Sequence, residues 1–304
     1  MKKRVLFMGT PDYADKILET LIADEAIEVV GLFTQPDKPV GRKKVMTPPP
    51  TKVTALEAEI PVYQPNSLKK EDFSQTIIDM KPDFIIVAAF GQILPQSILD
   101  IAPCINLHAS LLPAYRGASP IQQSLLAGDT TTGVTAMLMD IGMDTGDIIT
   151  TDSFDIPSDM LAFELFDALT EIAAQLTPKV IHDFDSFTIE AQDDSKASYC
   201  KKIHKSDGQV NFDDAQKLFN SYRAFTPWPG IYLESGLKLK KVALLETEGQ
   251  HEAGRILKVD KDHIEVGCKQ GRLALYLVQP VSKKEMDIAS FLNGQRLSLD
   301  DTLA

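Results

Sequence analysis

The chain has 304 residues, 44% of them apolar, with a formal net charge of −12. That length exceeds what a single hydrophobic core usually fills, so two domains are expected, neither needing a metal or disulfide to fold. The acidic balance argues against a chain built throughout for polyanions, and no apolar run is long enough to span a membrane.

The basic start Met1–Arg4 leads straight into the apolar run Val5-Leu6-Phe7-Met8 rather than into a signal-peptide core, so a cytoplasmic protein is expected. Gly9-Thr10-Pro11 then turns into Asp12–Ala23, where Ala14, Ile17, Leu18 and Leu21 recur at helical spacing. Strand-like runs follow at Ile27–Phe33, Ile60–Tyr63, Phe84–Ala88 and Ile105–Leu107, separated by helical or turn-rich segments. This alternation predicts an α/β domain with a mostly parallel sheet and helices on both faces. Ligands bind such sheets at the carboxyl ends of the strands, which directs attention to the loops after Met8, Ala88 and Leu107. Val134–Met139 and Asp147–Thr150 add strands, and Leu161–His182 carries a long helical pattern.

Phe184–Lys196 is polar, rich in aspartate and without period, the composition of a linker. The expected division is therefore 1–183, a linker at 184–202, and 203–304. In the last part a helix over Ala215–Ala224 precedes short β-type runs at Ile231–Leu233, Leu237–Leu245, Gly254–Val259, Ile264–Val266 and Leu273–Val278, the pattern of a small barrel. Charge differs between the parts: residues 196–304 hold 17 Lys and Arg against 14 Asp and Glu, the remainder 14 against 29. A basic face on the C-terminal part is compatible with that. Cys104, Cys200 and Cys268 stand singly, so neither a disulfide nor a zinc site is expected.

The densest chemical signal is Asn106-Leu107-His108-Ala109-Ser110-Leu111-Leu112-Pro113, continuing to Arg116-Gly117. Asn106 and His108 lie two apart at a strand end, so both side chains face one way. An amide donor beside an imidazole suits acyl transfer, in which an oxyanion needs a hydrogen bond and an amine must lose a proton. Asp144, in the loop Asp140-Ile141-Gly142-Met143-Asp144-Thr145-Gly146-Asp147, offers a carboxylate to orient the imidazole. Each piece alone has a bland alternative: a hydrogen-bonded structural histidine, a turn-forming asparagine, a hairpin turn. A calcium loop is disfavoured by Met143 and the lack of a terminal glutamate.

Taken together, Asn106-x-His108-x-Ser110-Leu-Leu-Pro113-x-x-Arg116-Gly117 and Asp144-Thr145-Gly146 resemble the signature of the 10-formyltetrahydrofolate-dependent formyltransferases. The resemblance implies a Rossmann-like catalytic domain with Asn106, His108 and Asp144 as its catalytic set. It also implies a folate site formed by Phe90, Gly91, Ile93, Leu94, Pro95, Ser110, Leu111, Leu112, Pro113 and Gly142, with no metal. Phe7-x-Gly9-Thr10-Pro11 and the loop Thr34–Lys44 are similar to the branch of that family acting on methionyl-tRNA, as is Arg223-Ala-Phe-Thr-Pro-Trp228-Pro-Gly230, which opens the branch's small C-terminal domain. That branch implies a C-terminal OB-like β-barrel, initiator methionyl-tRNA as partner, and a monomer. Arg42, Lys43, Lys44, Lys201, Lys202 and Lys205 would meet the tRNA. The basic loop departs from the branch in lacking a glycine between Arg42 and the pair Lys43-Lys44. Trp228, between prolines, is expected to pack in the core rather than to serve as a stacking platform. Rival readings are a formyltetrahydrofolate hydrolase-like or nucleotide-sugar enzyme, and a tRNA-binding protein without chemistry.

Overall fold

The computed structural model describes residues 1–41 and 43–303. The chain divides into two compact units, one formed by residues 1–120, 131–155 and 166–200, the other by residues 121–130, 156–165 and 201–304. Two short excursions of the N-terminal half thus fold with the C-terminal part. No aperiodic polar segment marks those crossings.

Among the described residues, the first unit holds a seven-stranded sheet in the order Ile148–Asp155, Thr131–Leu138, Cys104–His108, Phe84–Ala88, Lys3–Gly9, Ile27–Phe33, Val62–Tyr63. The five strands from Cys104–His108 to Val62–Tyr63 run parallel. Thr131–Leu138 and Ile148–Asp155 add an antiparallel edge. Continuous burial of Phe84–Ala88 explains its unbroken apolar sequence, because helices leave neither face of a central parallel strand to solvent. The helix Asp12–Ala23 buries Tyr13, Ala14, Ile17, Leu18 and Leu21. It sits close at its start, where a Cβ on Gly9 would come within 2.5 Å of the Ala14 Cβ. Tyr13 donates its hydroxyl to the Leu107 carbonyl at 3.2 Å, tying this helix to the strand that carries Asn106 and His108.

Within the loop Gln35–Pro50, Lys38–Val40 and Val45–Thr47 pair as a hairpin. Its base is anchored: Lys52 Nζ reaches Asp37 at 2.8 Å and Gln64 at 2.8 Å, and Gln64 Nε2 donates to the Gln35 carbonyl at 2.8 Å. Its outer part exposes Val40, Val45 and Met46.

The stretch expected to be a linker is ordered on the first unit. Glu190 bridges Ile148, Phe184 packs edge-on against Phe84 at 5.1 Å, and Tyr199–Cys200 pairs in parallel with Arg116–Gly117. Apart from Phe184 these contacts are polar and backbone-mediated, so they leave no hydrophobic period in the sequence.

The second unit is the separate antiparallel domain expected from the β-type runs. Its strands lie in the order Ile231–Tyr232, Lys238–Glu246, Arg272–Gln279, Ile264–Gly267, Ile256–Val259, with Met286–Asp287 on Arg272–Gln279. The helix Ala215–Phe225 starts on Asp214, whose carboxylate accepts from the Lys217 amide at 3.0 Å, and buries Leu218, Ala224 and Phe225. Arg223 is buried beside it and donates to the carbonyls of Met160 and Pro157, which is how residues 156–165 are held in this unit. Trp228 does not pack in the core: it is 58% exposed. The core positions of this motif are taken by Arg223, Ala224 and Phe225 on the preceding helix, leaving the proline-flanked tryptophan on the turn beyond it.

Candidate active site

Asn106 and His108 stand on Cys104–His108 where that strand pairs with Phe84–Ala88 on one side and Thr131–Leu138 on the other, Asn106 opposite Val87 and His108 opposite Thr135. This is the carboxyl end of the parallel strands, since Gly9 of Lys3–Gly9 pairs with Ala88 at the same level. The intervening Leu107 points into the core, as strand alternation requires.

The loop 139–147 brings Asp144 back to these two residues. Asp144 Oδ1 accepts from Asn106 Nδ2 at 3.4 Å, Oδ2 accepts from the Gly117 amide at 2.8 Å, and Oδ2 lies 3.7 Å from His108 Nδ1. His108 Nε2 is 2.9 Å from the Tyr115 carbonyl. A carbonyl oxygen only accepts, so Nε2 carries a hydrogen and Nδ1 is the ring atom turned toward Asp144. At 3.7 Å the two are too far for a direct hydrogen bond, leaving room for a proton donor or acceptor to approach. Asp144 itself has a φ of 55° and Tyr115 one of 60°, left-handed conformations that non-glycine residues adopt at a cost and that concentrate at functional sites. Gly117, at φ 118°, passes so close to the Tyr199–Cys200 strand that a Cβ would lie 2.3 Å from the Cys200 carbonyl oxygen.

Behind this cluster stands Arg116, 1% exposed, whose guanidinium donates to Gln192 Oε1 at 3.0 and 2.8 Å, to Asp194 at 2.8 Å and to the Tyr199 hydroxyl at 3.1 Å. Gln192 Nε2 donates in turn to the carbonyls of Asp144 at 2.9 Å and Gly146 at 2.7 Å. Arg116 and Gly117 stand in the sequence motif without an assigned role, whereas Tyr115 and Gln192 carried no expectation. Tyr115 and Gly117 flank Arg116 in the motif, but they act through backbone groups, and Gln192 sits in a segment with no pattern.

The residues expected to form a folate site divide by burial. Gly91 and Gly142 are exposed, Ile93 is 56% exposed, and Pro95, Leu111 and Pro113 are half-buried. Phe90 and Leu94 instead belong to the core formed with Met8, Phe33 and Val87, and Leu112 is buried as well. The side chains of Phe90, Leu94 and Leu112 are thus packed inward. Ser110 is fully buried: its hydroxyl donates to the Ala114 carbonyl at 2.6 Å, and its own carbonyl accepts from Thr135 at 2.7 Å. Those bonds shape the turn rather than present a donor to solvent. Exposed Ile93, Ile141 and Met143 are the large apolar side chains left free on these loops. Of the residues assigned to tRNA, Lys43 and Lys44 are exposed at the turn of the hairpin, Lys201, Lys202 and Lys205 are exposed at the start of the second unit's C-terminal segment, and Arg42 lies outside the described residues.

Among the described residues no helix is long and apolar enough to cross a membrane. The chain matches the formyl transferase family model over residues 1–181 and the model of the formyl transferase C-terminal domain over residues 202–296. It is 56% identical to the methionyl-tRNA formyltransferase of Sulfurimonas denitrificans over 99% of this chain and 100% of that protein. A protein of the same name from Nitratiruptor sp. is also 56% identical, over 98% of this chain and 99% of its own length. Solved structures share the fold at low identity. An N-formyltransferase from Helicobacter canadensis in complex with folinic acid and dTDP-3-aminofucose gives a TM-score of 0.69 at 18% identity, over 91% of this chain and 99% of that one. HypX from Aquifex aeolicus in complex with tetrahydrofolic acid gives 0.61 at 15%, over 100% of this chain and 49% of that one. The chain therefore belongs to the formyl transferase family and carries both of its domains.

Proposed function

We propose that this protein transfers the formyl group of 10-formyltetrahydrofolate to the amino group of methionine on initiator methionyl-tRNA, yielding N-formylmethionyl-tRNA for translation initiation. The observation that carries the chemistry is the convergence of Asn106, His108 and Asp144 at a strand end, with Asp144 held by the Gly117 amide. The acceptor is supported by full-length relatives named for it.

Gly91 and Ile93 on one loop, and Ile141, Gly142 and Met143 on another, offer open backbone and exposed apolar side chains, which fits a flat aromatic co-substrate. Formyl-folate bound there supplies an activated formyl carbon. Asn106 Nδ2 is the donor for the oxyanion that develops when the amine attacks that carbon, and protonated His108 adds a second donor through Nδ1. Asp144 faces Nδ1, orients the ring with the Tyr115 carbonyl on the opposite nitrogen, and takes up the amine proton directly or through water; that proton passes to N10 as the carbon–N10 bond breaks and tetrahydrofolate leaves. Lys43 and Lys44 on the anchored hairpin, with Arg42, Lys201, Lys202 and Lys205, supply cations for phosphates.

Formylation measured over a salt series tests the reading. Turnover of methionyl-tRNA should weaken steeply as salt rises, through counterion release, and His108→Ala should abolish it at every salt concentration. Salt-independent loss of formyl-folate without a formylated tRNA would mean that the acceptor is wrong.

A further inference from the structure

We propose that Gln192 is a positioning residue for Asp144, coupling the buried Arg116 to the backbone of the 144–146 turn. The inference rests on the catalytic reading of Asp144 given above. The side-chain amide of Gln192 has one possible orientation: Arg116 only donates, so it must face Oε1, and the carbonyls of Asp144 and Gly146 only accept, so they must face Nε2. One amide thus holds two carbonyls of the same turn, on either side of Thr145. The first of those carbonyls belongs to Asp144 itself, whose φ of 55° is unfavourable for a residue with a Cβ and persists only where surroundings enforce it.

The other support of the carboxylate has the same origin. The Gly117 amide that binds Asp144 Oδ2 is adjacent in sequence to Arg116, and the Arg116–Gly117 strand is pinned by Tyr199–Cys200. Backbone and side chain of Asp144 are therefore both referred to Arg116, one through Gln192 and one through Gly117. Arg116 is itself held by Asp194 and Tyr199, from the segment that delivers Gln192. Segment 190–200 thereby fixes where the carboxylate meets Asn106 and His108.

Gln192→Glu tests this. It keeps the acceptor for Arg116 but turns an oxygen toward two carbonyl oxygens, so the turn must shift while the arginine stays paired. Formylation of methionyl-tRNA would be measured for wild type, Gln192→Glu, Asp144→Asn and the double variant. Displacement of a catalytic group by an ångström costs about 100-fold, so kcat of Gln192→Glu should fall by roughly that factor with KM changed less than about twofold. Because Gln192 acts through Asp144, the double variant should be no slower than Asp144→Asn. Multiplying losses in the double variant, or wild-type kcat in Gln192→Glu, would overturn the proposal. Gln192→Met, which removes the two bonds to the turn and the two from Arg116 without placing a charge near the turn, reads the same cycle if the glutamate variant folds poorly. Wild-type turnover in Asp144→Asn would instead defeat the catalytic reading on which the proposal stands.

Discussion

Replacing Arg116 with methionine separates the two things this guanidinium does. Its side chain is 1% exposed, whereas the side chain of Asp194, its ionic partner, is 83% exposed. Losing the ion pair should cost little, because Asp194 is already hydrated; such exposed pairs contribute roughly 0–1 kcal/mol. Gln192 Oε1 is different. It is partly buried and loses both of its donors, and an acceptor left unpaired costs about 1–3 kcal/mol. Methionine preserves most of the volume, so little cavity term is added. The expected destabilisation is about 1–4 kcal/mol for Arg116→Met against less than about 1 kcal/mol for Asp194→Asn. Urea denaturation followed by circular dichroism, comparing midpoints at unchanged slope, measures both. Equal losses in the two variants would refute the reasoning, since they would place the stabilisation in the exposed ion pair rather than in the buried link to Gln192.

Gly117→Ala should fold poorly or lose most turnover, because a Cβ would meet the Cys200 carbonyl at 2.3 Å and displace the amide that holds Asp144; a fully active variant would contradict the role of that amide. The hydrogen bond from His182, 2.7 Å away, holds the Asp24 carboxyl below the usual carboxylate range. A carboxyl depressed in the folded state contributes stability at pH values above its unfolded pKa, and that contribution is lost as pH falls through the folded value. Asp24→Asn should therefore reduce stability near neutrality, with the difference from wild type closing below about pH 4; thermal melts across pH would show a constant gap if the pair did not titrate in this way. Burial pushes the thiols of Cys104 and Cys268 up to about 12, and all three cysteines are buried, so a thiol reagent at pH 8 should label the native protein slowly and the urea-unfolded protein at once. Rapid native labelling would show that one of the packed segments opens readily.

Periodicity and motif spacing made the parallel sheet, the long helices and the strand-end pair Asn106 and His108 legible, because each depends on local pattern. Asp144 was legible through the glycine-rich loop and the family signature. What surrounds it was not. Gln192 and Asp194 lie in a polar stretch that reads as a linker, and only the folded chain brings them to Arg116, 76 and 78 residues away. The hairpin at 38–47 escaped notice for a related reason: its strands are three residues each and wholly exposed, so no buried face imposes alternation. At Phe90, Leu94 and Ser110 the motif and the burial carry different information. A motif identifies residues that recur near a site, but burial decides whether their side chains or their backbone are offered to it. Trp228 misled through composition, since a single large aromatic suggests a core position until the neighbouring Phe225 is seen to occupy it.

The central claim is most directly tested by incubating the purified protein with 10-formyltetrahydrofolate and methionyl-initiator tRNA, then identifying the amino acid released from the tRNA by mass spectrometry. The account predicts N-formylmethionine with the wild-type protein and a loss of about 100- to 1000-fold in turnover with Asn106→Ala, the magnitude for removing one oxyanion donor. Unmodified methionine from the wild-type reaction, or near wild-type turnover with Asn106→Ala, would contradict it.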